Sequence, residues 1–398
     1  MTTLNLPSEV IYCNLCVISN QRPQSTVEFK NNSALSRKTM QIDKDGICDA
    51  CNFAKEKEAI NWESRREQLH KLCDKYRSKS GYDVVVPGSG GKDSAFTSHI
   101  LKYEFGMNPL TVTWAPHLYT EIGWENFQNW IHVGGFDNIL FTPNGKLHRF
   151  LTQQAFINLL HPFQPFIIGQ RIIGPRIAEK FDIPLIMYGE NQAEYGNDSS
   201  ENLNPLMKND FFSDEDLNSV RLGGLSIDEI LKGGNFTFND LTPYLPLNNS
   251  LINSKQLEVH YLGYYIKWDP QECFYYAASN TGFKPNTERT EGSYSKYSSI
   301  DDKIDPFHYF TTLIKFGLGR ASYDAAQEIR NGKITRDEGI QLVKQFDCEF
   351  PQKYFDEFLT YLSLSKSTFE DVIEKHRNLN LWKFESGVWK LAKPIWEY

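Results

Sequence analysis

The sequence has no surplus of positive charge: 42 Lys and Arg stand against 50 Asp and Glu, a formal net charge of −8. No general basic field is available to hold a phosphate backbone, although a local patch would be hidden in that sum. Long apolar runs are also missing. The most apolar stretches, such as 163–168, break off far short of the roughly 18 residues a membrane span needs, and mean hydropathy is −0.48. The opening MTTLNLPSEVIYC contains neither a basic segment nor an apolar one, so no secretory signal is read there. Cysteine is scarce: seven residues, unevenly spaced, exclude a disulfide framework. No repeat of fixed period and no low-complexity segment is present. These absences predict a cytoplasmic protein with no membrane insertion and no nucleic-acid partner.

What is there suffices for more than one core. The 398 residues are 40% hydrophobic and 23% charged, which predicts two or three folded domains rather than disorder. Residues 55–79 are highly charged, with Ile60, Leu69, Leu72 and Tyr76 at helical spacing, and read as one amphipathic helix. Strand candidates follow at 82–87 (YDVVVP), 110–114 (LTVTW), 138–142 (NILFT) and 183–188 (IPLIMY), with helical patterns between them. A stretch at 257–266 supplies a fifth. Strands alternating with helices imply a parallel α/β sheet covered on both faces, with ligands at the edge where the strand-end loops gather. The polar segment 197–256 reads as an insertion, and beyond residue 305 the pattern is helical. The expected organisation is 1–78 for a metal knuckle and linker helix, 79–285 for the sheet domain, and 286–398 for a helical region contacting substrate or partner.

Cys13-Asn-Leu-Cys16 and Cys48-Asp-Ala-Cys51 form two CxxC pairs 31 residues apart. Each turn brings two thiolates to one ion, and two turns complete the tetrahedral sulfur shell of a closed, structural Zn²⁺ site; an iron–sulfur cluster is the alternative. Cys73, Cys273 and Cys348 stand alone and read as small core residues.

The sharpest signal is Ser89-Gly90-Gly91-Lys92-Asp93-Ser94, between the first strand and a helix. Adjacent glycines let backbone N–H groups form an anion nest, and the helix N-terminus adds partial positive charge. Ser89 and Ser94 offer hydroxyls and Lys92 a point charge, while Asp93 either orients the loop or meets Mg²⁺. The lysine falls too early for a Walker loop. Gly189-Glu-Asn-Gln-Ala-Glu-Tyr-Gly196 follows the fourth strand and so lies beside this loop. If it turns helical, Glu190 and Glu194 share a face and hold Mg²⁺ on a departing pyrophosphate; a solvated acidic loop is the other reading. The segment 293–303, rich in Ser and Tyr, is expected to close over the phosphates, with Lys296 and Arg320 as contacts.

SGGKDS resembles the signature of the PP-loop ATPases, which cleave ATP between the α and β phosphates. The ordered set YCNLCVIS, GICDAC, VVPGSGGKDSAFTSHILK, NPLTVTW, IPLIMYGENQAEYG and KFGLGRASYDAAQEIRNGKITRDEG resembles the N-acetyl sugar amidotransferases of bacterial surface-glycan and nonulosonic-acid pathways. That resemblance implies a five-stranded PP-loop sheet and a C–N bond-forming ligase. The acetamido oxygen of a nucleotide-activated N-acetyl sugar would be adenylated and then displaced by ammonia to leave an acetamidino group. It also implies ATP, Mg²⁺ and Zn²⁺, and a separate glutaminase subunit supplying the ammonia. The ATP site would comprise Pro87, Gly88, Ser89, Gly90, Gly91, Lys92, Asp93, Ser94, Thr113, Trp114, Gly189 and Arg320. Lys92, Asp93, Glu190 and Lys296 would serve catalysis, and Asp93, Glu190 and Glu194 the Mg²⁺. Trp114 reads equally as a core residue. The rival readings are a tRNA-thiolating PP-loop enzyme, disfavoured by the charge and by the absence of CxxC near the sheet edge, and a non-catalytic ATP-binding protein.

Overall fold

The computed structural model describes residues 6–33, 37–196 and 204–398. The first seven residues of the expected insertion, 197–203, therefore lie outside the described residues.

Two helices precede the sheet, α1 (Asp49–Ala59) and α2 (Trp62–Tyr76). The single helix expected at 55–79 is thus broken at Ile60, because Asn61 adopts extended backbone and its side chain caps the next helix at Ser64 N–H. Then come β1 (Val84–Pro87), α3 (Lys92–Tyr103), β2 (Pro109–Trp114), α4 (Glu121–His132), β3 (Asp137–Phe141), α5 (Gly145–Leu159), α6 (Gln164–Phe181) and β4 (Leu185–Tyr188). After the insertion, β5 (Glu258–Tyr261) returns to the sheet and α7 (Pro270–Thr281) covers it. The stretch read as a fifth strand is strand only in its first half, and Leu262–Tyr265 makes a helical turn.

The five strands lie in the order β3-β2-β1-β4-β5, and every pairing is parallel. Val84 pairs with Pro109 and Leu185 with Glu258 at the start of the ladders. Alternation along β1 explains why such strands read as continuous apolar runs. Val85 joins the cluster containing Val112, Ile172 and Ile186, whereas Val84 and Val86 join Leu69, Ile100, Met187 and Trp268 on the opposite face. Helices α5 and α6 cover the first face, and α2, α3 and α7 the second. Close approach of α6 to the sheet depends on Gly169, where a Cβ would lie 2.2 Å from the Trp114 ring.

The described part of the insertion is packed, with Phe212, Val220, Leu222, Leu241 and Tyr244 fully buried. The C-terminal region holds α8 (Asp305–Phe316), α9 (Arg320–Arg330), α10 (Arg336–Phe346), α11 (Phe355–Leu362) and α12 (Lys366–His376). It ends in a hairpin of β6 (Trp382–Glu385) and β7 (Val388–Leu391), which the helical reading omits. Among the described residues no helix is long and apolar enough to cross a membrane.

Candidate phosphate site and four-cysteine centre

The phosphate loop follows β1 because β-branched burial stops at Pro87 and glycines take over. Gly90 has φ +84°, and a Cβ there would come within 2.8 Å of the Phe127 backbone, so the turn admits only glycine. Gly91 is the N-cap of α3 and offers no capping side chain. The first N–H groups of the helix are therefore left to an external acceptor, the arrangement that binds phosphate.

Lys92 opens that helix with a side chain only 12% exposed, its Nζ 2.7 Å from Asp93 Oδ2. Burial opposes its charge, but Asp93 and Glu190 outweigh the burial and hold its pKa above the ordinary lysine value. The other carboxylate oxygen of Asp93 is buried and unbonded. Across the loop, Glu190 is pushed up to about 7, first by burial and then by the charge of Asp93. Both of its oxygens are engaged by neutral donors: the Tyr195 hydroxyl donates to Oε2, and Gln327 Nε2 to Oε1 at 3.2 Å. Two carboxylates facing each other beside an anion nest, one of them with its pKa raised by burial and by the other's charge, form a natural place for a divalent cation carried by a polyphosphate.

Two cavities meet at this loop. One, of about 360 Å³, is lined by the loop, Glu190, Tyr195, Asp301, Asp305, Tyr309 and Arg320. The second, of about 420 Å³, is bounded by Pro87, Gly88, Ser94, Trp114, Ile167, Arg171 and Gly189. Trp114 is both wall and core: it is 2% exposed and packs on Phe141 and Tyr244, and its buried Nε1 has no hydrogen-bond partner. Arg320, the first residue of α9, lies 3.0 Å from Asp324 and over the Tyr309 ring. Asp305 is pushed up to about 7 by burial, against the pull of Arg320.

Three expectations are corrected by position. Glu194 does not share a face with Glu190, because Gln192–Tyr195 forms a tight 3₁₀ turn rather than an α-helix. Its carboxylate pairs with buried Lys57 at 2.7 Å, with side chains 8% and 4% exposed. Lys296 is held away from the loop: Nζ donates to the Thr287 carbonyl at 2.9 Å on a different cavity, beside Arg289 and Glu291. Thr113 is buried, and its hydroxyl accepts from Asn138 on β3, so it lines neither cavity. Ser89 lines the first cavity with Asp301, and Ser94 donates to the Gly91 carbonyl. Sequence reasoning missed Tyr195, Asp305, Tyr309 and Gln327. Tyr195 lay inside a segment already singled out, whereas nothing local marks Gln327, which is 137 positions from its partner.

Of the lone cysteines, Cys73 and Cys273 are buried, whereas Cys348 is exposed, against its reading as a core residue. Cys273 sits close enough to Asp93 and Lys92 to feel their charges, but burial, then Asp93, drives its thiol pKa well up. Burial likewise pushes Cys73 up to about 12.

At the other end of α1, the sulfurs of Cys13, Cys16, Cys48 and Cys51 all lie within 4.8 Å of one another, and all four residues are buried. Four sulfurs about 2.3 Å from one ion would be roughly 3.8 Å apart, and Cys16 and Cys48 Sγ are separated by 3.7 Å. Backbone N–H groups of Leu15 and Cys48 point at Cys13 Sγ, at 3.4 and 3.3 Å, as donors to a thiolate. The donor set fits a single tetrahedral ion with no open position.

Residues 291–395 match a family described as "LPS biosynthesis protein WbpG-like, C-terminal domain". Among solved structures, an NH3-dependent NAD synthetase from Campylobacter jejuni subsp. jejuni NCTC 11168, in complex with the nitrate ion, aligns at 16% identity and a TM-score of 0.27. That alignment covers 50% of this chain and 93% of the synthetase. No curated protein matches.

Proposed function

We propose that this chain is an ATP-dependent amidotransferase of lipopolysaccharide or related surface-glycan synthesis. In this reading it adenylates the acetamido oxygen of a nucleotide-activated N-acetyl sugar and replaces that oxygen with ammonia. The observation that carries the reading is the anion nest with Lys92, Asp93 and Glu190 at the junction of two cavities, beside a C-terminal region of lipopolysaccharide-synthesis type.

An acetamide carbon is a poor electrophile, so its oxygen must first become a leaving group. In the proposed reaction that oxygen attacks the α phosphorus, the bond to pyrophosphate breaks, and an O-adenylyl imidate forms. Ammonia adds to the carbon, the C–O bond breaks, and AMP leaves with the original oxygen, giving an acetamidinium group. The nest and Lys92 hold the departing pyrophosphate and offset its charge. Asp93 and Glu190 would hold Mg²⁺, which supplies further neutralisation of the phosphates. Trp114 and Ile167 line the cavity assigned to the adenosine, and Tyr309 and Tyr297 line the one assigned to the sugar. The four cysteines hold Zn²⁺ as a structural ion, away from the chemistry. Ammonia comes from a separate glutaminase, since an acyl-transfer thiolate is needed for glutamine hydrolysis and the thiol pKa values of Cys73, Cys273 and Cys348 are all raised.

The test is product analysis with ATP, an ammonium salt and a panel of nucleotide-activated N-acetyl sugars. AMP, pyrophosphate and a sugar one mass unit lighter, as the neutral amidine, are expected. ADP and phosphate as products would place the chain in another mechanistic class.

A further inference from the structure

The four-cysteine centre touches the phosphate site through the C-terminal helices. Arg336 of α10 donates from Nε to the Cys16 carbonyl and from Nη2 to the Cys13 carbonyl, both at 3.2 Å. Arg330, at the end of α9, donates to the Glu194 carbonyl at 3.0 Å, and its buried Nη1 has no hydrogen-bond partner. That guanidinium also feels the charges of Cys16, Cys51 and Cys48. A divalent ion held by four thiolates carries a net charge of about −2, which these two guanidinium groups offset. One turn back along α9 from Arg330, Gln327 reaches Glu190. The Glu190 loop is fastened from the same side by the Lys57–Glu194 pair, whose lysine also donates to the Trp268 carbonyl at 2.9 Å.

We propose that the metal-filled cysteine knuckle, acting through Arg330 and Arg336 on α9 and α10, makes Gln327 a positioning residue for Glu190, so that zinc loading governs affinity for Mg²⁺-nucleotide. This rests on the reading of Asp93 and Glu190 as the Mg²⁺ carboxylates. The knuckle is then more than a fold staple: it fixes the distance between a C-terminal helix and a strand-end carboxylate that belong to separate stretches of chain. Gln327 contributes direction rather than charge, since its amide holds one oxygen of Glu190 while Tyr195 holds the other.

The experiment titrates a fluorescent ATP analogue into the full chain, with Mg²⁺ and with no Mg²⁺ added, and measures zinc in the same samples. Gln327→Met keeps the length and removes the donor. It should weaken Mg²⁺-nucleotide binding about tenfold, the size expected for one hydrogen bond to a charged acceptor, and leave binding without Mg²⁺ unchanged. Arg336→Gln should retain close to one zinc per chain and show the same selective loss. Stripping zinc with a chelator should reproduce it in the wild type, and refilling should reverse it. Variants that bind Mg²⁺-nucleotide as the wild type does, or that lose both arms equally, overturn the coupling. Wild-type protein that binds nucleotide with no Mg²⁺ dependence overturns the carboxylate assignment itself, and binding no nucleotide at all removes the functional reading beneath it.

Discussion

Lys57→Met tests a deeply buried ion pair. Lys57 Nζ lies 2.7 Å from Glu194 Oε1 and 2.9 Å from the Trp268 carbonyl, and the two side chains are 4% and 8% exposed. Removing the cation leaves a carboxylate out of water without its counter-charge, which costs about 3–5 kcal/mol. That range is a factor of roughly 150 to 5,000 in the folding constant. Desolvation of the carboxylate has a second, sharper consequence. In the double variant Lys57→Met, Glu194→Leu no charge is left behind, so most of the lost stability should return, because an apolar pair of similar volume is often neutral. Urea unfolding followed by tryptophan fluorescence and far-UV circular dichroism reads both. A single variant within about 0.5 kcal/mol of wild type, the scale of an ordinary surface substitution, would refute the burial argument. So would a double variant no more stable than the single.

Mg²⁺-ATP affinity should rise with pH and level off above about 7, where Glu190 has lost its proton, because the protonated carboxyl cannot ligate the ion; a profile flat between pH 6 and 8 by calorimetry counts against Glu190 as ligand. Gly90→Ala forces a Cβ to 2.8 Å from the Phe127 backbone at φ +84° and should abolish nucleotide binding while the zinc content stays normal. Lys92→Ala should lose turnover by orders of magnitude with little change in melting temperature, since its partners are phosphate-site carboxylates and not core groups. Cys48→Ser should lose the metal, measured by mass spectrometry, along with protection of residues 10–51 in hydrogen exchange.

The sheet was legible because its three inner strands are buried on both faces. Val84, Val85 and Val86 are fully inaccessible, so no polar residue interrupts the β-branched run. The loop and the knuckle were legible because their chemistry is local, carried by SGGKDS and by two CxxC turns. The break at Ile60 was missed although Asn61 is a good cap, because charge and apolar spacing continue across it. Glu194 was misplaced for a different reason. An i,i+4 pair shares a face only in an α-helix, and the choice of a 3₁₀ turn at Gln192–Tyr195 is made by tertiary partners such as Lys57, 137 positions away. Lys296 followed the same logic: a cation between a sheet and helices was assigned to the phosphates, yet the chain turns it to the Thr287 carbonyl. Arg320, on the first turn of α9, does reach the cavity.

The contacts between the knuckle and the last helices also set an order in time. Cys16 is translated 320 positions before the Arg336 that binds its carbonyl, and Tyr12 meets the Lys393 carbonyl across 381. At about 5–20 residues per second, the first of those intervals lasts roughly 15–65 s. For most of it the cysteine turns have left the ribosome with their sulfurs free to take up metal but with no C-terminal helices to cover them. Metal capture and the sealing of the knuckle are therefore separate events in the life of each chain.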